Sequence, residues 1–210
     1  MHFPGKPVLF LLAISLIAPL GHAQLAPTDY FLSCDPDSFQ FIYDNYWLDH
    51  YIPCTMGING VTWPDCRMRI RGDSSREFPK KSLRIKSDGA AFPNGRDVML
   101  MNADWYDRSY MRTVLASRLF QESGHPCFDA EHARLHLNGE YFGLYIRVEN
   151  VDEDFLADKG LDPQGNLYKA TLDGACLSIF DDVEIHWEKK TNENESRDDL
   201  NPPPASTKTQ

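Results

Sequence analysis

A cluster of basic and hydroxyl side chains between residues 69 and 82 is the part of this 210-residue sequence best suited to chemistry. A loop that combines glycine and serine with arginine and lysine can offer backbone N–H groups and cations to phosphate oxygens. The pattern indicates an anion site, and a solvated basic hairpin is the alternative that the residue types leave open. The members of the cluster are Arg71, Gly72, Ser74, Ser75, Arg76, Lys80 and Lys81.

Two predicted strands must position this cluster. Apolar residues alternate with three arginines from residue 65 to residue 71, which is typical of a half-buried strand whose arginines face away from the core. Residues 81–86 alternate in the same way. The intervening residues 72–79 are rich in turn-forming types, so the sequence predicts a strand, a polar loop and a second strand.

A helix is predicted from about Tyr110 to Glu122, with Asp107 or Ser109 as its N-cap and Gly124 beyond its end. The apolar stripe of this helix is expected to pack on the core. It comprises Met111, Val114, Leu115, Leu119 and Phe120.

A β-hairpin is predicted around Asn138 and Gly139, because a type I′ turn needs positive φ at both central residues. A two-residue turn places Leu135 opposite Phe142, so one face is expected to carry Leu135, Phe142, Leu144, Ile146 and Val148. A short helix capped by Asp152 follows, and further strands are predicted at residues 166–170 and 183–189.

Composition indicates a globular protein with a real core, because 42% of the residues are hydrophobic and 12% are aromatic. The net charge of -10 opposes general attraction to nucleic acid or to anionic lipid. We therefore expect no nucleic-acid partner, and any phosphate chemistry must use a local basic cluster.

The N-terminal segment is predicted to be a cleaved signal peptide covering residues 1–23, followed by a secreted, periplasmic or cell-surface protein. Its apolar run, Val8–Leu20, is too short for a membrane-spanning helix, and no membrane span is expected. All five cysteines follow this segment, so two disulfides with one thiol left over are predicted, without a pairing. No metal site is predicted, since His132 and His136 would lie some 13 Å apart on one strand.

Several blocks of the sequence together resemble the CotH kinase family, which is named for spore-coat protein H. The resemblance spans roughly residues 57–199, and the blocks occur in the order that the family shows. The first three blocks are Arg71-Gly72-Asp73-Ser74-Ser75-Arg76 with Phe78-Pro79-Lys80-Lys81-Ser82, Leu100-Met101-Asn102-Ala103-Asp104-Trp105, and Leu137-Asn138-Gly139-Glu140-Tyr141-Phe142-Gly143. The others are Val148-Glu149-Asn150, Gly165-Asn166-Leu167-Tyr168-Lys169-Ala170 and Glu188-Lys189-Lys190-Thr191-Asn192.

The resemblance implies an atypical protein kinase that uses ATP and Mg²⁺ or Mn²⁺ to phosphorylate Ser or Thr hydroxyls of a protein substrate. It implies that Gly72, Ser74, Ser75 and Arg76, beside Arg71, cover the phosphates and that Lys80 or Lys81 contacts them. Glu149 and Asn150 would belong to the adenine-binding hinge, where the family usually has Gln in place of Asn150.

The expected fold class is α+β: an atypical protein-kinase-like fold, truncated, with a mainly antiparallel sheet and a packed helix. The expected organisation is a signal peptide (1–23), a lead-in (24–56), an incomplete kinase-like domain (57–199) and a disordered tail (200–210). The resemblance places the family's catalytic aspartates beyond the last block, so no catalytic residue is assigned. A non-catalytic coat or cell-surface interaction protein is the alternative function.

Overall fold

The computed structural model describes residues 26–170 and 187–191. Seven strands form one sheet that closes on itself in the order β1-β2-β3-β4-β5-β7-β6. Every strand pairing in this sheet is antiparallel except that of β1 with β6, so the predicted mainly antiparallel sheet is present. The strands are β1 (Thr28–Ser33), β2 (Ile52–Ile58), β3 (Val61–Arg71), β4 (Ser82–Ser87), β5 (Val98–Asn102), β6 (Ala130–Leu137) and β7 (Glu140–Val148).

The segment that was expected to be a lead-in contributes two of the seven strands. β1 pairs with β2 on one side and with β6 on the other, and it thereby closes the sheet. Between them lies helix α1 (Pro36–Asp44), whose N-cap Asp35 accepts a hydrogen bond from the Ser38 N–H at 2.8 Å. The structured part of the described chain therefore begins well before residue 57.

The inside of the closed sheet is the main hydrophobic core, and the predicted alternation of β3 and β4 is confirmed. Met68 and Ile70 of β3 and Leu83 and Ile85 of β4 are fully buried, while the arginines between them point outward. A second, smaller apolar cluster lies on the outer face of β5 and β7. Its buried members are Val98, Leu100, Ile146 and Val148.

The β6–β7 hairpin has the predicted turn, but the predicted register is wrong beyond its first residues. Leu137 pairs with Glu140 as expected, whereas Leu135 pairs with Gly143 instead of Phe142, because β7 has one extra residue at a β-bulge. Gly143 adopts φ +155 at this point. The bulge exchanges the two faces of β7, so Tyr145 enters the main core and Ile146 joins the outer cluster.

Helix α2 (Arg112–Glu122) is present where a helix was predicted, but its apolar stripe does not face the core. Val114 packs on the outer apolar cluster, and Ser117 is the buried residue of the helix, donating a hydrogen bond to the Phe128 carbonyl. The other stripe residues, Met111, Leu115, Leu119 and Phe120, are exposed. The contact of α2 with the sheet is chiefly with β6, and it leaves these four side chains uncovered by the described residues.

The remaining elements follow the predictions closely. Helix α3 (Glu153–Asp158) begins at Asp152, whose side chain accepts from the Phe155 N–H, and it buries Phe155 and Leu156. Strands β8 (Tyr168–Ala170) and β9 (Trp187–Lys189) form a separate antiparallel pair. Among residues 26–170 and 187–191, no helix combines the length and the apolar character needed to cross a membrane.

Some predictions fall on other parts of the chain. The signal peptide, the C-terminal tail, residues 183–186 and Cys176 lie outside the described residues. Cys34, Cys54, Cys66 and Cys127 carry free thiols in the structure. Disulfide formation therefore remains a prediction.

Candidate functional site

The loop between β3 and β4 is a compact turn built around Gly72. A short 3₁₀ helix, Ser74–Glu77, follows the glycine. Gly72 has φ +121, and a Cβ atom at this position would lie 2.3 Å from Ser75 Oγ. The positive φ of Gly72 favours glycine at this position, and the close approach of Ser75 keeps the turn compact.

Two of the predicted phosphate ligands hold this loop in place. The Arg76 guanidinium donates to the Gly72 carbonyl at 2.5 Å and forms an ion pair with Asp49 at 2.8 Å. Lys81 is buried, and its ammonium group donates to the carbonyls of Arg76 and Phe78 at 2.6 and 3.0 Å. Both cations use their donors on the protein itself.

Lys81→Met should therefore lower the free energy of unfolding by about 1–3 kcal/mol, because two loop carbonyls lose a buried donor. Its ammonium group also lies 4.1 Å from the centre of the Tyr46 ring, a contact that methionine cannot replace. Urea denaturation measures the change. Lys86→Met, which removes a surface ion pair with Asp97, is the control and should change stability by less than about 1 kcal/mol.

Lys80 is positioned differently, because its ammonium group lines a cavity. Its Nζ donates to the Ala103 carbonyl at 3.1 Å, to the Tyr110 hydroxyl at 2.8 Å and to the Leu144 carbonyl. All three acceptors are neutral, and burial lowers the pKa of Lys80 to about 8, with partial compensation from nearby Asp104. An anion that enters the cavity would supply the negative charge that the Lys80 ammonium group does not receive from these neutral acceptors.

The cavity beside Lys80 has a volume of about 430 Å³. It lies between the Gly72 loop and the segment that connects β5 to α2. Two aspartates reach it, Asp104, which accepts from Thr113 Oγ1 at 2.8 Å, and Asp107, which accepts from the Arg112 N–H at the start of α2. Cationic, carboxylate and hydroxyl side chains thus line one space.

A second cavity, of about 900 Å³, lies along the outer face of β4, β5 and β7. Its walls are apolar at Val98, Leu100 and Val148 and basic along β4, at Arg84 and Lys86. Leu167 and Tyr168 line it from the side of β8. Arg71 and Asn102 line both cavities, and the Arg71 guanidinium donates to the Asn102 amide oxygen. The two cavities are therefore adjacent and share this pair, which we call the junction, as part of their walls; the two cavities together are called the groove.

In the part of the chain that the structure describes, no carboxylate neutralises the arginines at and beside the junction of the two cavities. Among the described residues, Arg71 and Arg84 form no ion pair with a carboxylate, and their partners are the amides of Asn102 and Asn150. Burial, followed by repulsion from Arg84, Arg69 and Arg76, lowers the pKa of Arg71 to about 10. Since Arg71 stays charged at neutral pH, the junction is a place of positive potential in an acidic protein.

The segment after β7 forms the far end of the second cavity. Glu149 is buried there with Arg96, and the two side chains are joined by an ion pair of 2.8 Å. Arg96 also pairs with Asp158 at 2.7 Å and with Asp154 at 3.2 Å, so it fastens α3 to this segment. Asn150 accepts from Arg84 at 3.3 Å and donates to Asp152.

The structure thus brings together part of the predicted set. Arg71, Gly72, Ser75 and Lys80 line the first cavity, and Glu149 and Asn150 line the second. Ser74, Arg76 and Lys81 line neither cavity.

Sequence reasoning missed Arg84, Asn102 and Arg96 as site residues. The register of the predicted β3–β4 pair could have indicated Arg84, which lies directly opposite Arg69. No local pattern distinguishes Arg96.

The described residues of the groove combine basic side chains, a tight glycine loop and an apolar wall. Residues 26–170 and 187–191 contain no group of three His, Cys, Asp or Glu side chains positioned to hold a metal ion.

Comparison with known proteins identifies a relative and a family for this chain. The chain is 32% identical over 175 residues to inner spore coat protein H of Bacillus subtilis (strain 168), an alignment that covers 79% of the chain and 48% of that protein. The chain therefore spans about half the length of this curated relative. Residues 68–202 match the family described as CotH kinase protein. Since this match includes more than half of the chain, the protein belongs to the CotH kinase protein family.

Proposed function

We propose that the groove binds ATP and that the protein transfers the γ-phosphoryl group, with Mg²⁺ or Mn²⁺, to Ser or Thr hydroxyls of a protein substrate. The observation that carries the proposal is the junction at Arg71, where cations that have no carboxylate partner among the described residues line two adjoining cavities. Family membership supports the kinase class.

The proposed orientation follows from the chemistry of the two cavities. The base occupies the second cavity against Val98, Leu100 and Val148, and the backbone after β7 provides its hydrogen-bonding edge. The phosphates cross the junction at Arg71 and reach Lys80 in the first cavity. In this orientation, the negatively charged phosphates lie beside the positively charged side chains of Arg71 and Lys80.

The described residues would act by positioning and by neutralising charge, which are the main requirements of phosphoryl transfer. The Gly72 loop would cover the phosphates with backbone N–H groups, while Arg76 and Lys81 keep the loop rigid. Lys80 would neutralise charge on the terminal phosphates. A divalent metal would supply further neutralisation, and Asp104 and Asp107 are the carboxylates that line the first cavity.

The pKa of Lys80 gives a pH test of this proposal. Below pH 8 the ammonium form dominates in the free protein, so ATP affinity should be nearly constant there. As pH rises from 8 to 9, Lys80 loses its proton and affinity should fall by about threefold to tenfold. Calorimetric titration with ATP at each pH measures this change.

The control for the pH test is Lys80→Arg, which stays charged, so its ATP affinity should not fall between pH 8 and pH 9.

The free energy of unfolding should rise over the pH range in which ATP affinity falls. The unfolded state binds the Lys80 proton more tightly than the folded state, so the free energy of unfolding should rise from about pH 8 to pH 10. ATP affinity that is equally flat in both proteins would contradict the role of Lys80.

A structural role in a surface layer is the second candidate function. The relative is named as an inner spore coat protein, and α2 exposes Met111, Leu115, Leu119 and Phe120 on one helix. Exposed apolar side chains of this kind are typical of surfaces that bind other proteins. A chain with this role alone would not need ATP, so nucleotide affinity separates the two candidates. For both, we propose export to an extracellular or cell-surface location.

A further inference from the structure

Three cysteines lie close together on neighbouring segments of the closed sheet: Cys34 directly after β1, Cys54 in β2 and Cys66 in β3. Cys54 of β2 and Cys66 of β3 are directly paired residues, and both side chains are buried, with exposures of 6% and 5%. Ser33 pairs with Thr55, so extending the β1–β2 register by one residue places Cys34 opposite Cys54 on the other side. Cys54 is therefore the central member of a row of three thiols.

The spacing of this row decides which disulfides are possible. Directly opposed residues of an antiparallel pair have Cα atoms about 4.5–5.5 Å apart, within the range of about 4.4–6.8 Å that a disulfide requires. Cys34 and Cys66 are separated by two strand spacings, about 9–10 Å, which is too far. Cys54 can pair with either neighbour, while the two outer cysteines cannot pair with each other.

The three thiols differ in their access to solvent. Cys34 follows the end of β1 and is only half-buried, whereas Cys54 and Cys66 are enclosed by the core. Burial raises the pKa of all three thiols, that of Cys54 to about 12, so thiolates at the buried pair are rare. Cys34 is therefore the thiol of the three that a dissolved disulfide reaches most readily.

We propose that Cys54 and Cys66 form a cross-strand disulfide and that Cys34 is the entry thiol through which a small external disulfide, such as oxidised glutathione, oxidises them. The Cys34 thiolate attacks oxidised glutathione, forms a mixed disulfide and releases one glutathione thiolate. The Cys54 thiolate attacks the Cys34 sulfur and releases the second. The Cys66 thiolate then attacks the Cys54 sulfur and returns Cys34 as a thiolate.

This exchange is balanced and has a defined end. Two cysteine thiols lose two electrons and two protons, and one oxidised glutathione becomes two reduced glutathione molecules. The Cys34–Cys54 disulfide remains open to attack from solvent, while a Cys54–Cys66 disulfide is enclosed by the core. Enclosure protects the second product from reduction, so it should accumulate.

Peptide mapping of the oxidised chain tests the proposal. The folded chain is incubated with oxidised glutathione, its remaining thiols are blocked, and it is digested without reduction for mass spectrometry. The expected result is a linked peptide pair containing Cys54 and Cys66. A final product that joins Cys54 to Cys34, or the absence of any disulfide at Cys54, would overturn the pairing.

The entry role of Cys34 has its own test and control. Cys34→Ser should slow formation of the Cys54–Cys66 disulfide at least about tenfold, because the accessible thiol is lost. Cys127→Ser, which changes a half-buried cysteine elsewhere in the fold, should leave the rate unchanged. Equal rates in the wild-type chain and Cys34→Ser would overturn the entry role, and circular dichroism confirms that both variants are folded.

Discussion

Replacing Arg96 with alanine should lower the free energy of unfolding by about 3 kcal/mol, the lower end of the range for a broken buried ion pair, because buried Glu149 keeps only its longer contact with Lys159, at 3.5 Å. Both side chains are only 6% exposed, and the guanidinium lies 2.8 Å from the carboxylate. The same guanidinium pairs with Asp154 and Asp158 of α3. Urea denaturation followed by tryptophan fluorescence measures the loss.

Arg134→Ala is the matched control for this experiment. Its ion pair with Asp29 has a similar length, 2.5 Å, but the two side chains are 43% and 36% exposed. Exposed ion pairs contribute no more than about 1 kcal/mol, so the control should remain close to wild type. If Arg96→Ala were no more destabilising than Arg134→Ala, the Arg96 cluster would not hold the segment after β7 in place.

Replacing Arg71 with glutamine should weaken ATP binding by about 10–100-fold, because a charge-assisted hydrogen bond to phosphate is worth roughly 1.5–3 kcal/mol. Adenosine has no phosphate and should bind the variant as it binds the wild-type chain. The free energy of unfolding should stay the same or rise, because Arg71 is repelled by Arg84, Arg69 and Arg76 in the folded protein. If Arg71→Gln lowers ATP affinity without lowering the free energy of unfolding, Arg71 serves to bind the ligand and not to stabilise the fold.

Arg69→Gln provides the comparison for Arg71. Arg69 lies two residues earlier on the same face of β3, but it is paired with Asp49 at 2.6 Å and lines neither cavity. Removing the Arg69 charge should change ATP affinity less than about threefold, because Arg69 acts on the nucleotide only through long-range electrostatic attraction, which salt screens. Equal losses of affinity in the two variants would mean that general positive charge, and not the junction at Arg71, attracts the nucleotide.

The parts of the fold that could be predicted from the sequence depend on local patterns. The alternation around Met68 and Ile85 predicted β3 and β4, and Asn138-Gly139 predicted the hairpin turn. Asp152 predicted the start of α3. In each case, residues close together in sequence determine the local backbone conformation, so the sequence of that segment is enough to predict the element.

The features of the fold that were not predicted have a different physical origin, because they depend on contacts between residues that are distant in sequence. The bulge at Gly143 changes which side chains of β7 face the core, and a regular period of two cannot reveal one extra residue. The apolar stripe of α2 indicates a helix, but it does not say whether another layer covers that face. The closing strand β1 pairs with β6 about 100 residues away.

The candidate site was predictable only in part for the same reason. The Gly72 loop is visible as a local motif, but residue types alone do not separate Lys80 from Lys81. The structure separates them, because Lys81 turns toward the carbonyls of its own loop and Lys80 crosses to Ala103 and Leu144. Arg96 acts on carboxylates more than 50 residues away, and its own neighbours in sequence give no sign of this.

The central claim, that the joined cavities hold the triphosphate and base of one nucleotide, is tested most directly by calorimetric titration of the chain with adenosine, AMP, ADP and ATP in the presence of Mg²⁺. Affinity should increase at each added phosphate, and the largest increase should accompany the phosphates that reach Arg71 and Lys80. Equal affinities for adenosine and ATP, or no binding of either, would contradict the claim.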